Sequence, residues 1–471
     1  MLGEAPVHAV KPHKAENDGA DAAHTGNGNV PMTPSSTAWL RAGRTVRSLL
    51  RAAAPTSAAW VVGLAIATMA PAPLAAQTLY GCRDLSAAPT PSVEGRQGVF
   101  FRVDPDLLTY NRFSDEVVTA IGTLSHILAE RGTTFIVVPV PTKALAMPQY
   151  LGPDSVAYGY DPALALAIYQ DTLARLRAAG VKTVDARRAL STAVSGESVF
   201  FGADPRLTNT GLFALASGIA DQLRDGPAPA EYRTDPTGTT ILPSLDRLHL
   251  QMHCLTSLPE VTTMGFKTTR QPPEVTESAA PVIVAGTEMT GDPALNFAGF
   301  LSELSGREVT MGSVPHDPVA ALSAYLTSDA FRQTPPDTLV WEVPVWLNLG
   351  LHGDQPFREL VAAARNDCVA DLAVAPAGEN RITVDLSGQP QEPALNLLFD
   401  TRATLPARAE FHFFSKTGQE RTRPVVRAEG QPLTGRFYMP LTGLWPDGIA
   451  HVEIEAEVDP DDLPRVSLCR G

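Results

Sequence analysis

Thr134-Phe135-Ile136-Val137-Val138-Pro139-Val140 is a seven-residue run of apolar, mostly β-branched residues, with Gly132 before it and Pro141-Thr142 after it. Its length and its flanks make it a strand buried on both faces, as in a parallel sheet. Upstream, Ser114 stands as a helix cap with Asp115 and Glu116 in the first turn, and Val117, Ile121, Leu124 and Leu128 then share one helical face. Downstream, Leu164, Ile168, Leu173 and Leu176 repeat that spacing to about Gly180, where Val181-Lys182-Thr183-Val184-Asp185 follows. Val282–Ala285 and Thr338–Val343 are further apolar runs. Strands alternating with helices from 98 to about 365 specify a doubly wound α/β domain on a parallel sheet. In such a sheet the site lies at the carboxyl ends of the strands. The Pro- and Thr-rich stretches Pro227–Pro243 and Gln271–Ala280 read as loops.

From about Cys368 the pattern changes. Short runs recur at Ile382–Val384, Leu395–Phe399, Phe411–Phe414, Pro424–Arg427, Arg436–Met439, Val452–Val458 and Val466–Leu468, with turn signals such as Lys416-Thr417-Gly418 and Pro446-Asp447-Gly448 between them. Seven such strands predict a β-sandwich over 366–471, following an α/β domain over 77–365. Before both, residues 1–76 begin with a polar stretch too poor in apolar residues to build a core. Arg41, Arg44, Arg47 and Arg51 then precede the apolar run Ala58–Ala70, and Pro71–Gln77 follows. That order predicts a secretory signal cut near Ala76, with Met32 as a candidate start and an uncleaved anchor as the alternative. Both place the rest of the chain outside the cytoplasm.

Within 471 residues, 37 Lys+Arg face 51 Asp+Glu for a formal charge of −14, which disfavours nucleic acid as a partner. The four cysteines, Cys82, Cys254, Cys368 and Cys469, form no C-x-x-C pair. In an exported chain they predict two disulfides. Of three possible pairings, Cys82–Cys254 with Cys368–Cys469 is expected, because each pair brackets one segment of distinct pattern. Leu79-Tyr80-Gly81-Cys82 is a poor lipoprotein box, with bulky Tyr80 inside it.

Three clusters sit where strands end: Phe200–Gly211, Val284–Leu301 and Trp341–Trp346. With Val138-Pro139-Val140-Pro141-Thr142-Lys143, the cysteines and the trailing sandwich, they make residues 80 to 471 resemble the AlgX/AlgJ family of SGNH-hydrolase-like exopolysaccharide O-acetyltransferases. The resemblance implies a periplasmic location, a C-terminal carbohydrate-binding module and a Ser-His-Asp triad. The family's Asp-x-His-Trp-Thr-x-x-Gly motif reads Asp204-Pro205-Arg206-Leu207-Thr208-Asn209-Thr210-Gly211 here, so Arg206 replaces the His. The serine turn reads Gly286-Thr287-Glu288, so Glu288 replaces the nucleophile. A guanidinium stays protonated and cannot act as general base, and Glu288 has no hydroxyl to acylate. An ion pair between Arg206 and Glu288, with Asp204 beside it, is the expected structural substitute.

Other residues offer chemically active groups. Thr287 has a hydroxyl, but on this turn it reads as a backbone-bonding residue. His249 and His253 stand four apart, without the carboxylate of an H-E-x-x-H pattern, so they read as packing or surface residues. His316-Asp317 and His352 read as isolated loop residues. No metal or cofactor is assigned. In the sandwich, Arg402, Arg408, Lys416, Arg421, Arg423, Arg427 and Arg436 make a locally basic segment, while alternation sends Phe411 and Phe413 to the face opposite Phe414. The glycan-binding candidates are Trp445, Tyr438, Phe414, Arg421, Arg423 and Lys416, since aromatic faces stack on sugars and cations bond hydroxyls or carboxylates. Trp445 is the one most expected to be exposed.

The expectation is an exported, non-catalytic accessory protein of alginate- or cellulose-type exopolysaccharide synthesis that holds the polymer. Its acidic charge leans toward a neutral polymer. An active O-acetyltransferase or acetylesterase is one alternative. A scaffold contacting synthase or export-complex subunits is the other.

Overall fold

The structure, a computed structural model, describes residues 78–193, 197–223, 230–271, 281–351, 353–389, 395–459 and 461–471. The expected signal segment and cleavage position, His352 and most of the Gln271–Ala280 stretch lie outside the described residues. Among the described residues, no helix is long and apolar enough to cross a membrane.

A short hairpin, β1 (Ser92–Glu94) and β2 (Phe100–Arg102), leads into the helix Asp115–Glu130. Ser114 caps that helix, its hydroxyl accepting from the Val117 N–H at 3.2 Å. The central sheet consists of β3 (Thr134–Val140), β4 (Lys182–Thr183), then, beyond an inserted hairpin β5 (Glu231–Ile241) and β6 (Thr262–Gln271), β7 (Val282–Gly286), β8 (Val309–Ser313) and β9 (Thr338–Pro344). Its order is β4-β3-β9-β7-β8 and every pairing is parallel.

Period-two alternation decides which layer each strand residue serves. Ile136, Val138, Val140, Val282, Val284 and Val340 join one core, with helices Pro162–Ala178, Asn209–Ala220 and Phe297–Ser305. Phe135, Val137, Ile283, Ala285, Leu339 and Trp341 join the other, with helices Asp115–Glu130, Pro318–Leu326 and Gln355–Arg365. This is the expected doubly wound α/β architecture.

The loop expectation for Pro227–Pro243 is corrected. Residues 231–241 are β5, paired antiparallel with β6 through a bulge at Pro236/Gly238. Threonines supply the reason: they are β-branched strand formers, and Thr234 and Thr268 meet across the pair at 2.8 Å.

Among the described residues the C-terminal segment has nine strands, two more than expected: β10 (Asp367–Leu372), β11 (Val374–Gly378), β12 (Arg381–Asp385), β13 (Leu395–Asp400), β14 (Arg408–Ser415), β15 (Glu420–Val426), β16 (Arg436–Pro440), β17 (Ile449–Glu455) and β18 (Arg465–Arg470). They form two antiparallel sheets, β10-β18-β13-β16 and β11-β12-β17-β14-β15. The additional strands, β10 and β11, are mostly exposed and lack an apolar alternation. Phe411 and Phe413 are fully buried between the sheets, with Phe399 and Phe437. Both disulfides have the expected pairing, Cys82–Cys254 and Cys368–Cys469. The second joins register partners on β10 and β18.

One face of the sandwich is itself core. Leu398, Tyr438 and Cys469 pack into the second layer of the α/β domain, beside the Gln355–Arg365 helix. There the Arg427 guanidinium meets the Glu359 carboxylate in a buried bidentate pair at 3.0 and 2.7 Å. Tyr438 is fully buried, so its expected role as a glycan contact is corrected: its ring fills this seam instead of facing solvent.

Candidate functional site

The carboxyl ends of β3, β7 and β9 converge on two loops. The first, Phe200–Gly211, closes on itself through a bridge between Phe200 and Leu207. Thr208 then caps the Asn209–Ala220 helix, its hydroxyl accepting from the Gly211 N–H at 3.2 Å. A β-carbon at Gly211 would collide with the Val199 carbonyl, so the loop can enter its helix here only with glycine.

Asp204 is 3% exposed and lies against Arg206, whose Nε and Nη2 each donate to a different carboxylate oxygen at 2.9 Å. Burial works against the Asp204 charge, but hydrogen bonds from the Arg206 and Ser244 side chains outweigh it and hold the pKa below the ordinary aspartate value. The rest of the guanidinium is used as well. Nη1 donates to Asp292 at 3.1 Å and Nη2 to the Pro243 carbonyl at 2.8 Å. Arg206 thus pairs with Asp204 as expected. Its second carboxylate is Asp292, however, and the expected Arg206–Glu288 pair is corrected.

Lys143 props the loop from below. Fully buried just past β3, its ammonium donates to the carbonyls of Phe201, Gly202 and Asp204 at 2.6, 2.8 and 3.3 Å. Burial pushes its pKa down to about 8, against the pull of Asp106, Asp204 and Asp246.

The second loop is the turn after β7. Thr287 is buried: its hydroxyl accepts from the Met289 N–H at 3.3 Å and donates to Glu342 at 3.0 Å, the backbone-bonding role expected of it. Glu342, on β9, also accepts from the Thr287 N–H at 2.7 Å and the Thr290 hydroxyl at 3.2 Å. Burial raises its pKa to about 7, the three donors pulling the other way. A β-carbon on Gly286 would come within 2.7 Å of that carboxylate, so glycine keeps the turn against it. Glu288 points elsewhere. Its Oε1 lies 2.7 Å from His316 Nδ1, and its Oε2 accepts from the His316 N–H at 2.8 Å. His316, expected to be an isolated loop residue, is therefore corrected to a partner of Glu288.

A serine triad needs a hydroxyl, an imidazole and a carboxylate in sequence. Among the described residues, an imidazole does reach the turn after β7, but it meets a carboxylate, while the Thr287 hydroxyl donates to Glu342. No group of three or more His, Cys, Asp or Glu side chains there could hold a metal.

Residues 93–345 match the family model described as ALGX: SGNH hydrolase-like domain, acetyltransferase AlgX. The chain belongs to that family. It is 25% identical over 407 residues to the alginate biosynthesis protein AlgX of Pseudomonas aeruginosa, covering 80% of this chain and 84% of the relative. It is 26% identical over 285 residues to the probable alginate O-acetylase AlgJ of the same organism, covering 53% and 70%. The solved structure of Pseudomonas aeruginosa AlgX superposes with a TM-score of 0.68 at 22% identity, covering 81% of this chain and 95% of that one. That likeness extends the shared fold of the AlgX family beyond the matched domain to the C-terminal strands.

Past the AlgX-family domain, a groove of about 1050 Å³ runs between the α/β layer and the sandwich. His316, Asn348, Asp354 and Arg358 line one wall; Arg423, Thr442 and Gly443, near the β15 edge, line the other. Of the sandwich candidates only Arg423 lines it, donating to the Pro440 and Thr442 carbonyls at 2.9 and 3.0 Å. Trp445 is half-buried against the sandwich core and the Arg421 guanidinium sits 5.1 Å over its ring, so the expected open platform is covered. Phe414 stacks on His451 at 4.5 Å. Lys416 is exposed at its turn. His253 Nδ1 stands 3.3 Å from the Arg83 carbonyl, beside the Cys82–Cys254 bridge.

Sequence reasoning missed Asp292, Lys143, Glu342 and His316. Two carried a signal. Glu342 is the single acid in the otherwise apolar run Thr338–Val343, and Asp292-Pro293 is a helix-start pattern. His316 carried none, because only the fold brings it to Glu288.

Proposed function

We propose that this protein is an exported, periplasmic accessory of exopolysaccharide synthesis that holds the polymer in the inter-domain groove without serine-based acyl transfer. The carrying observation is the bidentate Arg206–Asp204 pair, with its third contact to Asp292, in the slot where the family places its base. A permanently charged guanidinium takes no proton from an attacking alcohol. Glu288 in the serine slot adds that no hydroxyl stands there to be acylated. The relatives' names favour an alginate-type polymer, with a cellulose-type polymer and synthase or export subunits as the further candidates. The sandwich then acts as the carbohydrate-binding module, contributing the Arg423 wall.

An acyl assay tests the absence of chemistry. Purified full-length protein is given p-nitrophenyl acetate, alone and with oligosaccharide acceptors. Release at the buffer rate is expected; turnover that disappears in Asp204→Asn or Glu288→Gln would reverse the reading. Retention on immobilised glycans tests holding: the wild-type chain is expected to bind and Arg423→Ala to bind less. Retention on none would favour a scaffold instead.

A further inference from the structure

The Leu245–Gln251 helix, between β5 and β6, is built inside out. Its polar side chains turn inward. Arg247, 12% exposed, donates to the Leu258 and Pro259 carbonyls at 2.8 and 2.7 Å and to Glu260 at 2.6 Å. Gln251 accepts from the Leu258 N–H at 2.6 Å, and Asp246 and His249 line a small cavity beside Lys143 and Asp204. Leu250 alone among the helix's apolar side chains is buried, in a satellite core with Cys82, Phe100 and Leu258. Leu245, Leu248 and Met252, spaced i, i+3 and i+7, share the face opposite it and are 71, 52 and 69% exposed. Leu255, just beyond, is 78% exposed.

This face is fastened to the point where the chain enters the domain. The Tyr80 carbonyl accepts from the N–H groups of Leu255 and Thr256 at 3.1 and 3.0 Å, and the Arg83 N–H donates to the His253 carbonyl at 2.9 Å. The Cys82–Cys254 bridge makes the attachment covalent. Upstream, only residues 71–78 separate that entry from the apolar run Ala58–Ala70, the expected export signal or anchor. Fully extended, they reach about 30 Å at most. A bilayer that holds the run therefore lies within reach of the exposed leucines. The chain's charge of −14 supplies no attraction to anionic lipid, so apolar burial is the term that would seat the face.

We propose that the face formed by Leu245, Leu248, Met252 and Leu255 rests on the surface of the lipid bilayer from which the chain emerges. The inference rests on the export reading of the leader and is separate from the groove. Full-length protein carrying a fluorophore at Leu245→Cys, or at Lys416→Cys on the sandwich turn, is mixed with phosphatidylcholine vesicles containing spin-labelled lipid. Quenching at position 245 and none at 416 is expected. Adding Leu248→Glu and Met252→Glu is expected to abolish the quenching at 245. Both side chains face solvent, so the thermal midpoint without vesicles is expected to stay unchanged, which controls for misfolding. An anchor that merely tethers the chain would leave both probes bright, and that result overturns the proposal. Equal quenching at the two positions overturns it too, as does quenching at 245 that survives both glutamates. A dimer in vesicle-free sedimentation that the glutamates dissolve assigns the face to a second copy and likewise overturns it. Each of these failures leaves the groove reading standing, because the glycan-retention assay does not depend on this helix.

Discussion

Arg206→Leu separates a structural guanidinium from a catalytic one. The change removes two bonds to Asp204, one to Asp292 and one to the Pro243 carbonyl, leaving a carboxylate that is 3% exposed. Breaking a buried ion pair from one side costs about 3–5 kcal/mol. The lower end, about 3 kcal/mol, applies here because Arg206 keeps some solvent access and the Arg206 main-chain N–H still donates to Asp204 at 2.8 Å. That loss is roughly a hundredfold or more in the folding constant. Its pH dependence is distinctive. In the wild type the folded pKa of Asp204 is lowered, so its contribution is full above the unfolded value near 3.9 and lost as pH falls through the folded one. Without Arg206, burial prevails and the folded pKa rises, so the deficit is largest at neutral pH and shrinks below about pH 4 as Asp204 protonates. Urea unfolding followed by tryptophan fluorescence at pH 7 and pH 3.5 reads both numbers. A variant as stable as wild type at pH 7, or equally destabilised at both pH values, refutes the reasoning.

The seam between the domains offers a second test. Glu359→Ala strands Arg427 in the core and is expected to cost about 3–5 kcal/mol, whereas Glu359→Leu with Arg427→Met recovers most of it, read by calorimetry as a double-mutant cycle. Glu342, with its pKa at about 7, contributes full stability below its unfolded value near 4.3 and loses it as pH rises through about 7. Glu342→Gln is therefore expected to gain on wild type between pH 5 and 8 in chemical denaturation, and a constant difference across that range counts against the assignment. Cys368→Ser with Cys469→Ser opens a loop of 101 residues, for which about 4–5 kcal/mol is expected if the chain-entropy account holds. Thermal scans with and without reductant measure it, and the double variant is expected to be insensitive to reduction of that bridge.

The parallel sheet was legible because its strands are apolar runs, and burial on both faces leaves that signature in composition alone. The β5–β6 hairpin was not, since threonine and proline read as loop when scored by hydrophobicity. Its pairing instead rests on main-chain bonds and contacts such as Thr234 to Thr268. Alternation correctly sent Phe411 and Phe413 inward, but it could not show which sandwich surface a neighbour covers. Tyr438 lies on a strand whose outer face is capped by the Gln355–Arg365 helix, so it was misread as a surface ring. At the site, the sequence carried Asp204, Arg206 and Glu288 but not Asp292 or the approach of His316. Asp292 and His316 reach Arg206 and Glu288 from 86 and 28 positions away, distances that only the chain's path closes.

Arg206 and Glu288 make physical sense only together with what surrounds them. Beside a buried carboxylate a guanidinium makes a permanent contact where an imidazole would make a titrating one, and the Arg206 donors also reach Asp292 across the gap to the β7 turn. Beneath that turn, Thr287 and Thr290 are tied to Glu342, and beneath the facing loop Lys143 is tied to three carbonyls. In a serine site the nucleophile's hydroxyl is bonded to the imidazole that takes its proton, and the imidazole to a carboxylate. Here the guanidinium and the Thr287 hydroxyl are bonded on every side that the described residues offer. At the edge of the groove the imidazole that reaches the β7 turn meets Glu288 and not that hydroxyl, so among the described residues the three groups of a serine triad do not stand in line there.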